Sequence, residues 1–243
     1  MASPPSLSPA VFRLGTAPAK GRAAFPLGLG DQGIHEVCEA GFGDYGALTG
    51  FVLGAAPRRT GAVVWVSQTH LVLNHGRLLE TGLKALRRER LPTLHVQVRK
   101  PMEALWAVEE AIRSKAAGLV VAEVLDMDFT ASRRLTLASG RHGVPAILLM
   151  PYSREGATAA AARWRVSPRP SAPNRYDSKA PGHPRWHAVL ERSRQAPHMA
   201  GHSFDLELDD ETLSLRVVSG LATDPAEAET VRPEHTPDTR RRA

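Results

Sequence analysis

Apolar residues in the middle of the chain form short continuous runs, at 62–66, 119–122 and 146–150. Strands that are apolar on both faces are typical of a parallel sheet that is covered by helices on each side. The segment 94–98 alternates apolar and polar residues instead, which predicts a strand nearer an edge of the sheet. A further strand is predicted at 34–38, just before a glycine-rich turn.

Helical patterns separate these runs, at about 47–56, 81–90, 101–112 and 130–141. Pro101 stands at the favoured first-turn position of the third helix. Trp106 lies in the same helix, and we expect it to anchor the core. The alternation of strands and helices predicts an α/β domain with right-handed crossovers.

The pattern changes after Pro151. Residues 155–162 are small and Ala-rich, and the Pro-rich segment 168–184 is expected to be mobile. Four short strand-like segments follow, at 163–166, 186–190, 203–208 and 213–218. The last two alternate in polarity and are joined by Asp209-Asp210-Glu211, a hairpin signal. Antiparallel strands therefore extend the far side of the sheet.

Composition sets the limits of the domain. We expect a disordered N-terminal arm over 1–24, one domain over 25–218 and a disordered tail over 219–243. No apolar run approaches the roughly 20 residues that cross a bilayer, so we expect no membrane span. The single cysteine, Cys38, excludes an internal disulfide and favours a cytoplasmic protein with one buried thiol.

The net charge of +6 favours an acidic partner, of which nucleic acid is the commonest. The excess is concentrated between Arg163 and Arg194, a segment that contains eight basic residues and two acidic ones. Within this region and the loop before it, Arg154, Arg163 and Arg165 are candidates for contacts with phosphate or with a partner. Contact with DNA is possible, but we expect it to be indirect.

A glycine loop follows the first predicted strand and fits two phosphate-binding templates. Gly41-x-Gly43-x-x-Gly46 is the dinucleotide fingerprint. The same glycines have the spacing of a P-loop in which Ala47 and Leu48 replace the lysine and the hydroxyl residue.

Neither template is complete. A dinucleotide site needs an acidic residue about 20 residues further on, and the next strand ends at Ser67-Gln68. An ATPase needs the lysine and the magnesium-binding hydroxyl that are missing here. Glu123 follows a buried strand at a position like that of the Walker B acid. We therefore expect a degenerate P-loop, no cofactor and no catalysis.

Two histidine pairs, His183 with His187 and His198 with His202, have a spacing that binds metal on a helix. The surrounding prolines argue against a helix in the first pair, and neither pair has a fixed carboxylate partner. We expect no metal site.

The order of several segments resembles the ImuA family of RecA/SulA-like proteins from bacterial mutagenesis operons. The matching segments are Phe25-Pro26-Leu27-Gly28, 33–37, 103–111, 128–135, Gly143-Val144-Pro145-Ala146 and Arg163-Trp164-Arg165-Val166. The resemblance covers about residues 25–218. It implies a RecA-like core with a mostly parallel sheet, helices on both faces and antiparallel strands at the C-terminal end.

The resemblance also implies a function. Members of this family are accessory factors in SOS-induced, error-prone translesion synthesis. Their partners are an ImuB-like polymerase homologue, a RecA-type recombinase and an error-prone DnaE-type polymerase. Carried over from the recombinase, the P-loop lysine falls on Ala47, the hydroxyl on Leu48, the water-activating glutamate near Thr69 and the phosphate-sensing glutamine near Pro151. A non-catalytic adaptor is expected.

Two other functions stay open at this point. A SulA-like inhibitor of cell division would use the same fold as a binding protein. A weak ATPase or a dinucleotide-dependent enzyme would use the glycine loop itself. Nucleotide binding and turnover distinguish these classes.

Overall fold

The structure is a computed structural model that describes residues 23–25, 28–30, 33–56, 59–86, 92–174, 176–177, 179–209 and 211–218. The tail predicted over 219–243 and all but the last two residues of the predicted N-terminal arm lie outside the described residues.

A single ten-stranded sheet organises the described chain. The strands are β1 (Ala23–Ala24), β2 (Ile34–Glu39), β3 (Ala62–Gln68), β4 (Thr93–Val98), β5 (Ala117–Glu123), β6 (Ala146–Met150), β7 (Ala162–Arg169), β8 (Arg185–Ser193), β9 (Ser203–Leu208) and β10 (Leu215–Val217). Their order across the sheet is β1-β10-β9-β8-β7-β2-β6-β5-β3-β4. The six strands from β7 to β4 are parallel, and the other four are antiparallel. This confirms the predicted α/β class with its antiparallel C-terminal extension.

Five helices connect the parallel strands of the described chain. They are α1 (Tyr45–Ala55), α2 (Thr69–His75), α3 (Glu80–Leu86), α4 (Pro101–Ser114) and α5 (Phe129–His142). The first three share one apolar cluster with the sheet, and the last two share the other cluster. Helices on both faces explain why β2, β5 and β6 are buried along their whole length.

The predicted edge strand is confirmed. β4 pairs with β3 on one side and is the last strand of the sheet on the other. Its alternation follows from this position, since Val96 and Val98 pack towards α4 whereas His95 and Gln97 line a surface groove on the opposite face.

The prediction for Trp106 is wrong. Its side chain is 63% exposed, whereas Ala104, Leu105 and Val108 of the same helix are buried. Successive helical residues are about 100° apart, so a residue between Leu105 and Ala107 points away from the sheet when its neighbours at 104, 105 and 108 face it. The apolar character of tryptophan alone misled the prediction.

Three further differences concern two segment ends and one loop. Ala23–Ala24 pairs with β10, so the described domain begins two residues before the predicted boundary. β10 starts at Leu215 because Leu213 has a φ of 50° and closes the turn after β9. In the Pro-rich loop between β7 and β8, Ala172 donates to the His183 carbonyl and Pro173 bridges Pro181, so this loop is more regular than predicted.

Candidate functional site at the carboxyl edge of the sheet

The candidate site lies where the parallel strands end in sequence direction. In open α/β sheets, ligands bind at this edge because the loops of neighbouring strands meet there. β2 leads here into the glycine loop, β5 ends at Glu123, and β6 leads into the loop 151–161. The sequence-predicted positions Gly41, Glu123 and Arg154 are thus brought to one edge.

The glycine loop is a tight turn over Gly41–Asp44 that ends in the first residue of α1, Tyr45. Gly43 has a φ of 100°, a conformation that favours glycine. Gly46 already belongs to the helix and has open space around it. The loop therefore ends earlier than a P-loop does.

The side chain of Asp44 bonds to the backbone of the glycine loop. Its Oδ2 accepts a hydrogen bond from the backbone nitrogen of Gly41 at 3.1 Å. The nitrogen of Asp44 donates to the Gly41 carbonyl, and that of Ala47 donates to the Asp44 carbonyl. Phosphate binding at a helix N-terminus needs free amides and no competing negative charge. Three amides of this turn are already satisfied, and a carboxylate stands beside them.

The two positions that replace the P-loop lysine and hydroxyl are part of the core packing. Leu48 is fully buried between α1 and the sheet. The carbonyl of Ala47 accepts a hydrogen bond from the Trp186 indole at 3.0 Å. Neither side chain carries a group that reaches a phosphate or a metal ion.

Glu123 at the end of β5 is also used internally. Its Oε1 accepts a hydrogen bond from the Trp65 indole at 2.9 Å, and the hydroxyl of Ser67 bonds it as well. Burial raises the pKa of this carboxyl above its ordinary value, although both hydrogen bonds oppose the shift. Glu123 thus lies at the predicted Walker B-like position but is held as a structural acceptor.

Thr69, which stands where the resemblance places the water-activating glutamate, begins α2. Its hydroxyl donates to the carbonyl of Val98 at 3.0 Å and thereby ties α2 to the end of β4. Pro151, at the predicted glutamine position, follows β6 directly and has no side-chain donor. These two positions carry no group for nucleotide hydrolysis.

A fully buried ion-pair network lies under the loop 151–161. Glu36, in the middle of β2, has no exposed surface. Its two carboxylate oxygens accept from Arg163 Nε at 2.6 Å, from Arg154 Nη2 at 3.2 Å and from the Thr158 hydroxyl at 2.6 Å. Two arginines and a hydroxyl therefore compensate one buried carboxylate, which is the condition for burying a charge at tolerable cost.

Arg165 fastens the same loop from the next position on β7. Its Nε pairs with Glu191 Oε1 at 2.5 Å, and its Nη1 donates to the Tyr152 carbonyl at 2.5 Å. It also donates to the carbonyls of Arg154 and Glu39. Arg154, Arg163 and Arg165 hold the loop to the sheet through internal bonds, and their contact with phosphate or with a partner stays a prediction.

A cavity of about 270 Å³ opens between α1 and α3 beside the glycine loop. Tyr45, His75 and Glu123 contribute to its wall, with Leu83 on the opposite side. The Tyr45 ring stacks on His75 with centroids 4.3 Å apart, and its hydroxyl donates to the Leu149 carbonyl at 3.3 Å. Burial raises the pKa of Tyr45 well above its usual value, and the charge of Glu123 adds to the shift. Tyr45 is therefore a neutral packing residue.

The predicted histidine pairs do not form metal-binding helices. His187 lies on β8, where its Nδ1 is 2.7 Å from Asp205 Oδ1. His198 lies in a 3₁₀ turn over Pro197–Met199, and His202 lies just before β9. Within the described ranges, no group of three His, Cys, Asp or Glu residues has a metal-binding arrangement.

Cys38 is buried as expected, and burial raises the pKa of its thiol to about 12.

Sequence reasoning missed the two acids that decide this edge, Glu36 and Asp44. Glu36 lies in a predicted strand beside Val37 and Cys38, and an acid in a strand that is buried signals a buried partner of opposite charge. Asp44 precedes a helix, where an aspartate is a common N-cap. Its carboxylate instead turns back to Gly41, and the cap bond is not formed.

The chain is similar in sequence to Protein ImuA of Caulobacter vibrioides. The proteins of strains NA1000 / CB15N and ATCC 19089 / CIP 103742 / CB 15 are each 36% identical over 185 residues, which cover 70% of this chain and 71% of the relative. The chain belongs to the ImuA family. The resemblance drawn from the serial order of its segments is thereby confirmed.

Two further comparisons accompany this assignment to the ImuA family. No protein-family model matches the chain. SulA from Pseudomonas aeruginosa is a structural neighbour with 16% identity and a TM-score of 0.35, which covers 49% of this chain and 97% of SulA. Over the described part of this ImuA-family chain, every helix is too short or too polar to cross a membrane.

Proposed function

We propose that this ImuA-family protein is a non-catalytic accessory factor in SOS-induced, error-prone translesion DNA synthesis. Its partners are an ImuB-like polymerase homologue, a RecA-type recombinase and an error-prone DnaE-type polymerase, in the cytoplasm. The observation that carries the proposal is the 36% identity to Protein ImuA over 185 residues.

The non-catalytic part of the proposal is supported by the carboxyl edge. Asp44 satisfies the loop amide of Gly41, and Glu123 is bonded to Trp65. Hydrolysis of ATP needs a cation on the terminal phosphates and a hydroxyl or carboxylate on magnesium. Ala47 and Leu48 provide neither. The protein is thus a pseudo-ATPase that needs no cofactor.

The nucleotide part of the proposal is tested with the purified full chain. We expect no ATP binding by calorimetry and no phosphate release above the buffer rate, with a RecA-type recombinase as the positive control. If the wild type hydrolyses ATP and the Glu123→Gln variant does not, the proposal that the protein is a pseudo-ATPase is wrong.

The cellular part is tested by deletion of the gene. We expect the damage-induced mutation frequency to fall and plasmid-borne wild type to restore it. An unchanged frequency contradicts the mutagenesis role, and filamentation on overexpression combined with an unchanged frequency indicates a division inhibitor instead.

A further inference from the structure

Two exposed aromatic side chains meet at the carboxyl edge. Phe42, at the tip of the glycine turn, is 87% exposed, and Tyr152, in the loop after β6, is 47% exposed. Their rings stand edge to face, with centroids 6.1 Å apart and an interplanar angle of 84°. Aromatic residues of this kind are the commonest anchors of protein interfaces. Neither ring contributes to either apolar cluster of the fold.

Buried groups hold both loops in place beneath the rings. The Tyr152 nitrogen donates to Glu39 Oε1 at 3.1 Å, and its carbonyl accepts from Arg165. The turn that carries Phe42 is closed by the bond from Gly41 to Asp44. A surface whose backbone is already ordered loses little entropy on binding, which favours affinity.

Several carboxylates lie close to the rings, although the whole chain carries a net charge of +6. Asp44 lies two residues from Phe42, and the exposed Glu155 lies three residues from Tyr152. Asp126 is 84% exposed in its side chain and lies 3.7 Å from Arg154. Arg154 and Arg163 form ion pairs with Glu36, and Arg165 forms one with Glu191. This charge pattern opposes phosphate and fits a partner surface with basic residues.

We propose that Phe42 and Tyr152 form the anchor of a protein-docking surface. The partner presents an apolar pocket that accepts the two rings and is flanked by lysine or arginine side chains. In this chain the glycine turn projects Phe42 instead of binding a nucleotide phosphate. The inference rests on the proposed function for the identity of the partners, because the ImuB-like, recombinase and DnaE-type proteins are the probes.

The test measures binding of the full chain to each of these three purified proteins by calorimetry or interferometry. Wild type is expected to bind at least one of them, and Phe42→Ala and Tyr152→Ala each weaken that complex by about tenfold or more. Tyr176→Ala and Trp106→Ala are the matched controls. Both remove an exposed aromatic ring elsewhere, 90% exposed in the case of Tyr176, and both are expected to leave the affinity unchanged.

The charge argument has its own variant. Asp126→Lys combined with Glu155→Lys is expected to slow association several-fold at low salt and to weaken its dependence on ionic strength. Phe42, Asp126, Tyr152 and Glu155 are all exposed, so these substitutions should leave the fold intact. Thermal melting of every variant checks this.

The outcomes separate the inference from the proposed function. Wild-type affinity in both Phe42→Ala and Tyr152→Ala overturns the docking surface and leaves the accessory role standing. Failure of wild type to bind any of the three proteins overturns both. Binding of a single-stranded oligonucleotide that Phe42→Ala abolishes assigns the surface to nucleic acid and likewise overturns the inference.

Discussion

At the scale of single residues, buried polar groups determine how the carboxyl edge is built. Glu36 collects Arg154, Arg163 and Thr158 under the loop 151–161. Removal of one partner from a buried ion pair leaves the other charge without compensation, which costs more than the pair itself contributes. The stability of this edge therefore depends on the charge of Glu36.

Glu36→Gln tests this role because it removes the charge and keeps the shape. We expect the free energy of unfolding in urea to fall by about 3 kcal/mol, since two buried guanidinium groups lose their buried counter-ion and keep only the more distant Asp126 and Glu191. Glu110→Gln is the control, because Glu110 pairs with Arg113 at 3.5 Å on the surface and should cost about 0.5 kcal/mol or less. Equal costs for the two variants would contradict the buried network.

Glu123 makes the stability dependent on pH. Burial raises its folded-state pKa above 4.5, so its contribution to stability is fully present below the unfolded pKa and is lost as pH rises through the folded pKa. Relative to Glu123→Gln, wild type should lose stability as pH rises from the unfolded pKa to the folded pKa, by at most about 1.4 kcal/mol per pH unit, and the difference should level off above the folded pKa. Urea unfolding of both proteins as a function of pH measures the difference.

Glu103 is the control of opposite sign for that experiment. Backbone hydrogen bonds from Lys100 and Arg99 lower the pKa of its carboxyl, so its contribution is present above the unfolded pKa and is lost as pH falls. Glu103→Gln should therefore differ from wild type least at low pH. If the difference in free energy of unfolding between wild type and Glu123→Gln does not change with pH, burial does not raise the pKa of Glu123.

At the scale of elements, the packing between them decides which residues fit. Gly118 in β5 faces the carbonyl of Thr60, and a Cβ there would lie 2.3 Å from that oxygen. Gly140 near the end of α5 has no atom of another part of the fold within 4 Å of the same position. The sequence does not distinguish the two glycines, but in the structure the backbone of Thr60 leaves room only for glycine at position 118.

This pair of glycines gives opposite expectations for alanine. Gly118→Ala should lower the free energy of unfolding by about 1–3 kcal/mol because backbone atoms must move. Gly140→Ala should raise it by about 0.5–1 kcal/mol because alanine has the higher helix propensity. Denaturant unfolding measures both, and destabilisation of similar size at the two sites would contradict the described contact with Thr60.

At the scale of the whole molecule, the N-terminal end of the described chain closes the far edge of the sheet. Ala23–Ala24 pairs with β10, and the Phe25 ring packs against Phe51, Trp164 and Phe204 with centroids 5.0 to 6.1 Å away. The first and last described strands are therefore tied to the same apolar cluster.

Phe25→Ala should lower the free energy of unfolding by about 2–3 kcal/mol, somewhat less than the loss of a fully buried phenylalanine. Phe42→Ala removes the same ring from an exposed position and should change stability by about 0.5 kcal/mol or less. Thermal melts and urea titrations compare the two. Equal stability of both variants would mean that Phe25 does not join the strands to the core.

The fold class and the family follow from the amino-acid sequence alone. Continuous apolar runs predict strands buried on both faces, and the serial order of the segments identified the ImuA family, because both signals are local or depend only on order. Trp106 shows the limit of such signals. Its apolar character predicts burial, but the rotation of α4 about its axis is set by contacts with the sheet.

The side-chain pairs at the carboxyl edge become visible only in the folded structure. Glu36 and Arg163 are 127 residues apart in sequence, and Phe42 and Tyr152 lie on loops from different strands. Such pairs depend on the order of strands across the sheet, which no local pattern carries. The sequence shows Ala47 and Leu48 after the glycine loop, and only the structure shows that Leu48 is buried and that Asp44 bonds to Gly41.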